Sequence, residues 1–94
     1  MKITQAYSDR VEYANQFLLQ LEEAYQSGSQ AAKAVVRKER VPHELHGKFL
    51  VSGKNFREEV TNLCHALVML DCEKQAINVR EIVDGRERIV ITGA

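Results

Sequence analysis

The Asp84-Gly85 dipeptide near the end of the chain is the feature that most restricts the fold. It separates two β-rich segments, INVREIV and RERIVIT, and Asp-Gly between such segments is a strong signal for a two-residue β-hairpin. A two-residue turn predicts four cross-strand pairs: Val83 with Arg86, Glu81 with Arg88, Val79 with Val90, and Ile77 with Thr92. The chain is therefore expected to contain an antiparallel sheet that ends in a C-terminal hairpin.

The predicted hairpin is apolar on both of its faces. One face would carry Ile77, Val79, Val83 and Val90, and the other Ile82, Ile89 and Ile91. A strand that is apolar on both sides is usually covered on both sides. We expect the chain's own helices to cover one face and a second subunit to cover the other.

Two longer segments show the apolar spacing of helices. In residues 4–26 and again in residues 55–76, apolar side chains recur at steps of three and four, which places them on one face of a helix. Asn55 followed by Glu58 resembles a capping box at the start of the second segment. Both cysteines, Cys64 and Cys72, fall in that segment, and eight helical residues separate them by about 12 Å, too far for a disulfide.

The region between these two predicted helices is predicted to form a shorter helix followed by a strand. Ser29 is a suitable cap for QAAKAVVRKER, and Pro42 ends this helix. Lys48–Val51 is the strand candidate, ended by Ser52-Gly53. The prediction is an α+β fold in which two to three helices pack against a small antiparallel sheet, with residues 1–94 forming a single domain.

The composition fits a small globular protein, with 45% hydrophobic and 28% charged residues. No apolar run reaches the length of a membrane span, and MKITQAYSDR lacks the apolar block of a signal peptide. A cytoplasmic location with no membrane contact is therefore expected. A chain of 94 residues buries a small core, so self-association would add burial that one copy lacks.

The charges are unevenly distributed although the net charge is zero. Residues 29–57 carry seven Lys or Arg side chains against two Glu, whereas the segments on either side are net acidic. These cations are the candidate partner-binding or anion-binding residues: Lys33, Arg37, Lys38, Arg40, Lys48, Lys54 and Arg57. Those at the end of the short helix also have a purely structural explanation, since cations are favoured at a helix C-terminus.

The sequence contains no catalytic signature. His43 and His46 have an HxxH spacing, but a metal needs three or four converging ligands. Gly53-Lys54 lacks the first glycine and the following Ser or Thr of a phosphate-binding loop. No serine or cysteine lies in the sequence pattern of an activated nucleophile. We therefore expect a chain that is not an enzyme and uses no cofactor or metal.

These observations favour a protein–protein interaction or regulatory module that forms a homodimer. The two helical stripes and the doubly apolar hairpin supply candidate interfaces, and the segregated charges would steer an acidic partner toward the basic region. The alternative is a small nucleic-acid-binding protein that uses the basic 33–57 region. The salt dependence of binding separates the two hypotheses, because phosphate contacts weaken steeply with salt.

Overall fold

The computed structural model describes residues 2–26 and 41–93, with side chains at 2–18 and 41–93. Within these ranges the chain is α+β. Two single-turn 3₁₀ helices, Gln5–Tyr7 and His43–Leu45, precede α1 and β2. The main elements are β1 (Lys2–Ile3), α1 (Ser8–Gln26), β2 (His46–Gly53), β3 (Phe56–Asn62), α2 (Leu63–Cys72), β4 (Asn78–Val83) and β5 (Arg86–Thr92).

The five strands form one antiparallel sheet in the order β1-β5-β4-β2-β3. Strand β2 lies between β4 and β3 and pairs with both, so that Leu50 lies opposite both Glu59 and Arg80. The short β1 pairs Lys2 with Thr92 at the far edge. The sheet therefore brings together segments that lie far apart in the sequence.

Both described helices pack on one face of the sheet, and the core lies between them and the strands. Phe49 and Val51 of β2, Val79 of β4 and Ile91 of β5 are fully buried there. α1 contributes Tyr7, just before its start, with Val11 and Ala14, and α2 contributes Leu63, Cys64, Ala66, Leu67, Val68 and Met69. We call this side the helix face of the sheet and the opposite side the outer face.

The first predicted helix is confirmed in its extent, since α1 with its preceding 3₁₀ turn covers residues 5–26. Over residues 2–18, where side chains are described, the predicted apolar stripe of this helix faces the core. Tyr7, Val11 and Ala14 are buried and Leu18 is half-buried. The predicted Lys48–Val51 strand is correct but short, because β2 runs from His46 to Gly53. The predicted helix QAAKAVVRKER lies outside the described residues.

The predicted helix over residues 55–76 is wrong in its first half. Phe56–Asn62 forms β3, joined to β2 by a tight turn at Lys54 and Asn55, and the helix is confined to Leu63–Cys72. The predicted capping box at Asn55 is therefore also wrong. The helix cap is Asn62, whose side-chain Oδ1 accepts a hydrogen bond from the backbone N–H of His65 at 2.7 Å.

The hairpin is confirmed, but half of its predicted register is wrong. Asp84 and Gly85 have φ values of 53° and 76°, as a two-residue turn of this kind requires. The Val83–Arg86 and Glu81–Arg88 pairs form as predicted. A register shift after Arg80 then places Val79 opposite Ile91, and Asn78 replaces Ile77 opposite Thr92.

The shift behaves as a β-bulge that contains Val90. It places both Val90 and Ile91 in the core, so the predicted separation of these residues onto two faces fails. Glu81 lies on the helix face, where Arg10 rather than Arg88 is its ionic partner. Ile82 and Ile89 are on the outer face, and Ile89 remains 48% exposed.

No helix in the described part of the chain is long and apolar enough to cross a membrane.

His65 in the first turn of α2 makes the stability of the fold depend on pH. Burial lowers its pKa, and the nearby Glu58 carboxylate opposes this effect. The unfolded chain therefore takes up the proton first as the pH falls below about 6.5, so stability is full above that pH and declines below it. We expect His65→Gln to show a smaller fall in melting temperature between about pH 7.5 and about pH 5.5 than the parent. His43→Gln is the control, since His43 is exposed, and equal slopes for the parent and His65→Gln would contradict the prediction.

Candidate functional site

An open groove at the β2–β3 turn is lined by three of the described cations. It has a volume of about 490 Å³ and lies on the outer face. Lys54 in the turn, Arg57 of β3 and Arg80 of β4 line it, with Glu87 the one carboxylate among its lining residues. The rest of the lining consists of polar, apolar and glycine residues: Ser52, Asn55, Asn78, Leu50, Phe56 and Gly53.

The strand register explains why these side chains converge. Ser52 of β2 is paired with both Arg57 of β3 and Asn78 of β4. Leu50, two residues earlier on the same face, is paired with Arg80. Leu50 is only 2% exposed although no helix covers this face in the described residues. Long charged side chains on the outer face cover apolar surface in this way while their charged ends remain in water.

Two weak ion pairs partly neutralise the outer face. Arg80 approaches Glu87 at 3.8 Å, and Lys48 approaches Glu59 at 3.5 Å, with both Lys48 and Glu59 side chains more than half exposed. Pairs as exposed as these contribute little to stability. The groove keeps a positive balance, because three cations and one carboxylate line it.

The structure gathers only part of the basic region predicted from the sequence. Lys54 and Arg57 lie together in the groove, whereas Lys48 lies on the outer face but does not line it. Lys33, Arg37, Lys38 and Arg40 lie outside the described residues. The sequence interpretation missed Arg80 and Asn78, which come from the hairpin and reach the groove only through the pairing of β4 with β2.

A second polar group lies on the helix face and joins α1 to the sheet. The Tyr7 hydroxyl donates to Glu81 Oε1 at 2.8 Å, and Arg10 Nη1 donates to the same oxygen at 3.1 Å. Arg10 also donates to the backbone carbonyls of Glu44 and His46, and its guanidinium lies 5.6 Å from the ring centres of Tyr7 and Phe49.

This polar group is part of the packing and is closed to a ligand. Tyr7 is 5% exposed and Glu81 8% exposed. Burial raises the pKa of Tyr7, and the hydrogen bond to Glu81 and its charge act in the same direction. Gly47 lies so close to the Glu81 carboxylate that a Cβ there would be 2.5 Å from Oε2. These contacts hold Glu81 in place against α1.

The histidines and cysteines are the residues that the sequence suggested as candidates for metal binding or catalysis. His43 and His46 lie with ring centres 5.3 Å apart, but His46 Nε2 is 2.8 Å from the Val41 carbonyl oxygen. Among the residues that the structure describes, no three His, Cys, Asp or Glu side chains form a metal-binding group. Cys64 is buried, and burial raises its pKa to about 11, so its thiol is protonated at neutral pH. Cys64 and Cys72 form no disulfide.

A more apolar groove runs along β5 beside the N-terminal segment. Ile3 and Ile89, 40% and 48% exposed, lie on its walls with Ala6 and the aliphatic parts of Lys2 and Arg88. β1 pairs with β5 only at Ile91 and Thr92, so the Arg86–Ile89 part of β5 has no strand beside it on this side within the described residues. The apolar outer positions of the predicted hairpin therefore remain partly exposed.

Comparison with known proteins gives no relative: no family model, no curated protein and no solved structure matches the chain.

Proposed function

We propose that this protein is a non-enzymatic interaction module whose outer-face groove binds an acidic segment of a partner protein. The convergence of Lys54, Arg57 and Arg80 around one open groove is the observation that supports this proposal. Cations that remain hydrated on a surface attract an acidic partner and orient it. The polar side chains between them offer hydrogen bonds to the backbone or the carboxylates of such a segment.

A binding role fits the remaining groups better than a catalytic one. Tyr7, Arg10 and Glu81 are engaged with each other, and the Cys64 thiol is inside the core. Reduced cysteines are usual in a cytosolic protein, which supports a cytoplasmic location. We further propose that the protein acts as a homodimer.

An acidic protein segment fits the groove better than nucleic acid. A phosphate backbone that continues along the outer face past the groove would also meet Glu59, whereas a short acidic segment can end within the groove or place a neutral residue beside Glu59. Phe56 is the one aromatic side chain that lines the groove, so successive bases would find a single ring on which to stack, whereas Leu50, Ile82 and Ile89 on the outer face are aliphatic. Nucleic-acid binding nevertheless stays the alternative that the same experiment tests.

The test is titration by fluorescence anisotropy of two labelled probes, a peptide of alternating glutamate and leucine and a single-stranded oligothymidine. We expect the peptide to bind, and Lys54→Ala combined with Arg80→Gln to weaken it about tenfold through the loss of two charge contacts. The control removes the same charge from two positions of β5 that do not line the groove, by Arg86→Ala with Arg88→Gln, and should leave the affinity unchanged.

Three results would overturn the proposal. Tighter binding of the oligonucleotide, with a steep loss of affinity in salt, would assign the groove to nucleic acid. Equal weakening by the groove variant and the control variant would show attraction by overall charge alone. Failure of the unmodified protein to bind the peptide at low salt would remove the acidic segment as the ligand.

A further inference from the structure

Strand β3 forms an open edge of the described sheet. It pairs with β2 on one side and is the last strand in the sheet order. An edge strand presents backbone N–H and C=O groups that can pair with another strand. Phe56–Asn62 is seven residues long, which is enough for several such pairs. The edge is therefore a place where a second chain can extend the sheet.

The charges on this edge alternate in sign along the outer face. Arg57 and Glu59 are exposed there, two residues apart, while Phe56, Glu58 and Val60 belong to the helix face. We propose that β3 pairs in antiparallel fashion with β3 of a second copy, so that Arg57 of each chain lies opposite Glu59 of the other. This inference rests on the homodimer proposed above and adds its interface and register.

The pairing rules of a sheet leave few registers for such a dimer. Residues directly opposite each other share a face, so only symmetric registers centred on a residue keep the helices of both copies on one side. Centring on Arg57 or on Glu59 sets like charges opposite each other at the axis and brings no opposite charges together. Centring on Val60 brings no opposite charges together. Centring on Glu58 gives two Arg57–Glu59 pairs and sets Phe56 opposite Val60 twice.

The proposed register has one unfavourable feature, which also provides a test. Glu58 lies at the two-fold axis opposite Glu58 of the second copy, and like charges directly opposite each other destabilise a sheet. Glu58 is exposed, so water screens this repulsion. Replacing Glu58 with glutamine should therefore strengthen the dimer about threefold.

Charged residues on an edge strand often prevent pairing between copies. The order of charges on β3 does not favour such a preventive role. A row of charges of one sign repels an identical row. On β3 the two outer charges are opposite, so an identical strand running the other way presents the complementary sequence of charges. The contact of one strand pair is small, and we expect a weak dimer with a dissociation constant in the micromolar range.

The experiment is a charge exchange between the two outer residues, followed by sedimentation velocity from about 10 to about 500 µM. Arg57→Glu and Glu59→Arg each place like charges opposite each other twice and should raise the dissociation constant about tenfold or more. The double variant restores opposite charges and should dimerise like the parent. An equimolar mixture of the two single variants should form a heterodimer, detected by native mass spectrometry from its intermediate mass.

The controls are Arg86→Glu and Glu12→Arg, which make the same exchanges at exposed positions away from β3 and should not change the dimer. A parent that stays monomeric over the whole range would overturn both the dimer and its interface, leaving the groove to be tested by its peptide. A parent dimer that survives both single variants, or a mixture without heterodimer, would overturn the β3 register while leaving the dimer standing.

Discussion

Replacing Arg10 with methionine is expected to lower the free energy of unfolding by about 3 kcal/mol. The reason is the Glu81 side chain, which is 11% exposed and faces the Arg10 guanidinium at 3.1 Å. Removing the cation leaves a largely buried carboxylate with much of its charge uncompensated. Methionine retains an apolar stem against the rings of Tyr7 and Phe49. Urea denaturation at about pH 7 measures the change.

Companion variants separate the loss of the charge pair from a general loss of packing. Glu81→Gln removes the charge but keeps a hydrogen-bonding group, and we expect a cost of about 1 kcal/mol. Combined with Arg10→Met, it should cost less than the sum of the two single changes, because the first change removes the partner of the second. The control Arg86→Met changes an exposed arginine that lies opposite Val83, and it should stay within about 0.5 kcal/mol of the parent. Additive losses would show that Arg10 and Glu81 are not energetically coupled.

Replacing Gly53 with alanine is expected to cost about 3 kcal/mol, the upper end for adding a methyl group to a packed site. A Cβ at this position would overlap the backbone carbonyl oxygen of Gln75. The approach of the two segments is fixed nearby, where the Ile77 N–H donates to the Ser52 carbonyl oxygen at 2.9 Å. Relief of the overlap would therefore pull the start of β4 away from β2. Thermal and urea denaturation measure the loss.

Gly85→Ala is the matched control for this substitution. Gly85 has a φ of 76°, and a Cβ there would meet nothing within 4 Å. Its cost is therefore the conformational strain of alanine at positive φ, about 1 kcal/mol. A loss at Gly53 no larger than the loss at Gly85 would show that the Gln75 segment moves away easily, contrary to our expectation.

The hairpin was predictable because its determinants are local: Asp84 and Gly85 tolerate the positive φ values that the turn needs. Residues 56–62 were misread because Phe56 and Val60 are four apart, a spacing that puts them on one face of either a helix or a strand. Because β3 is an edge strand, even its helix-face residue Glu58 is exposed to solvent. Arg57, Glu58 and Glu59 therefore follow one another without the alternation of polar and apolar residues that usually indicates a strand. The signal that was available is Asn62 before the apolar run Leu63–Met69, since asparagine is a preferred helix cap.

Two of the three cations in the groove were predictable from the sequence, because they are close together along the chain. The sequence shows Lys54 and Arg57 close together, and any turn between them keeps them close. Arg80 is distant along the chain and reaches the same groove because β4 pairs with β2. Neither charge nor periodicity specifies the order of strands in a sheet, so the contribution of Arg80 required the structure.

The position of β1 beside β5 has a consequence for the order in which the chain folds as it is made. Lys2 and Ile3 leave the ribosome long before Ile91 and Thr92, the residues with which they pair. The hydrogen bonds from Tyr7 and Arg10 to Glu81 likewise cannot form until Glu81 has been synthesised. The part of the attachment of α1 that depends on Glu81 and β5 therefore forms only when the hairpin has been made, whereas β2 and β3 can pair as neighbours much earlier. Until then the apolar stripe of α1 lacks the part of its packing surface that β5 supplies, such as Ile91, and this apolar surface can make other contacts in the nascent chain.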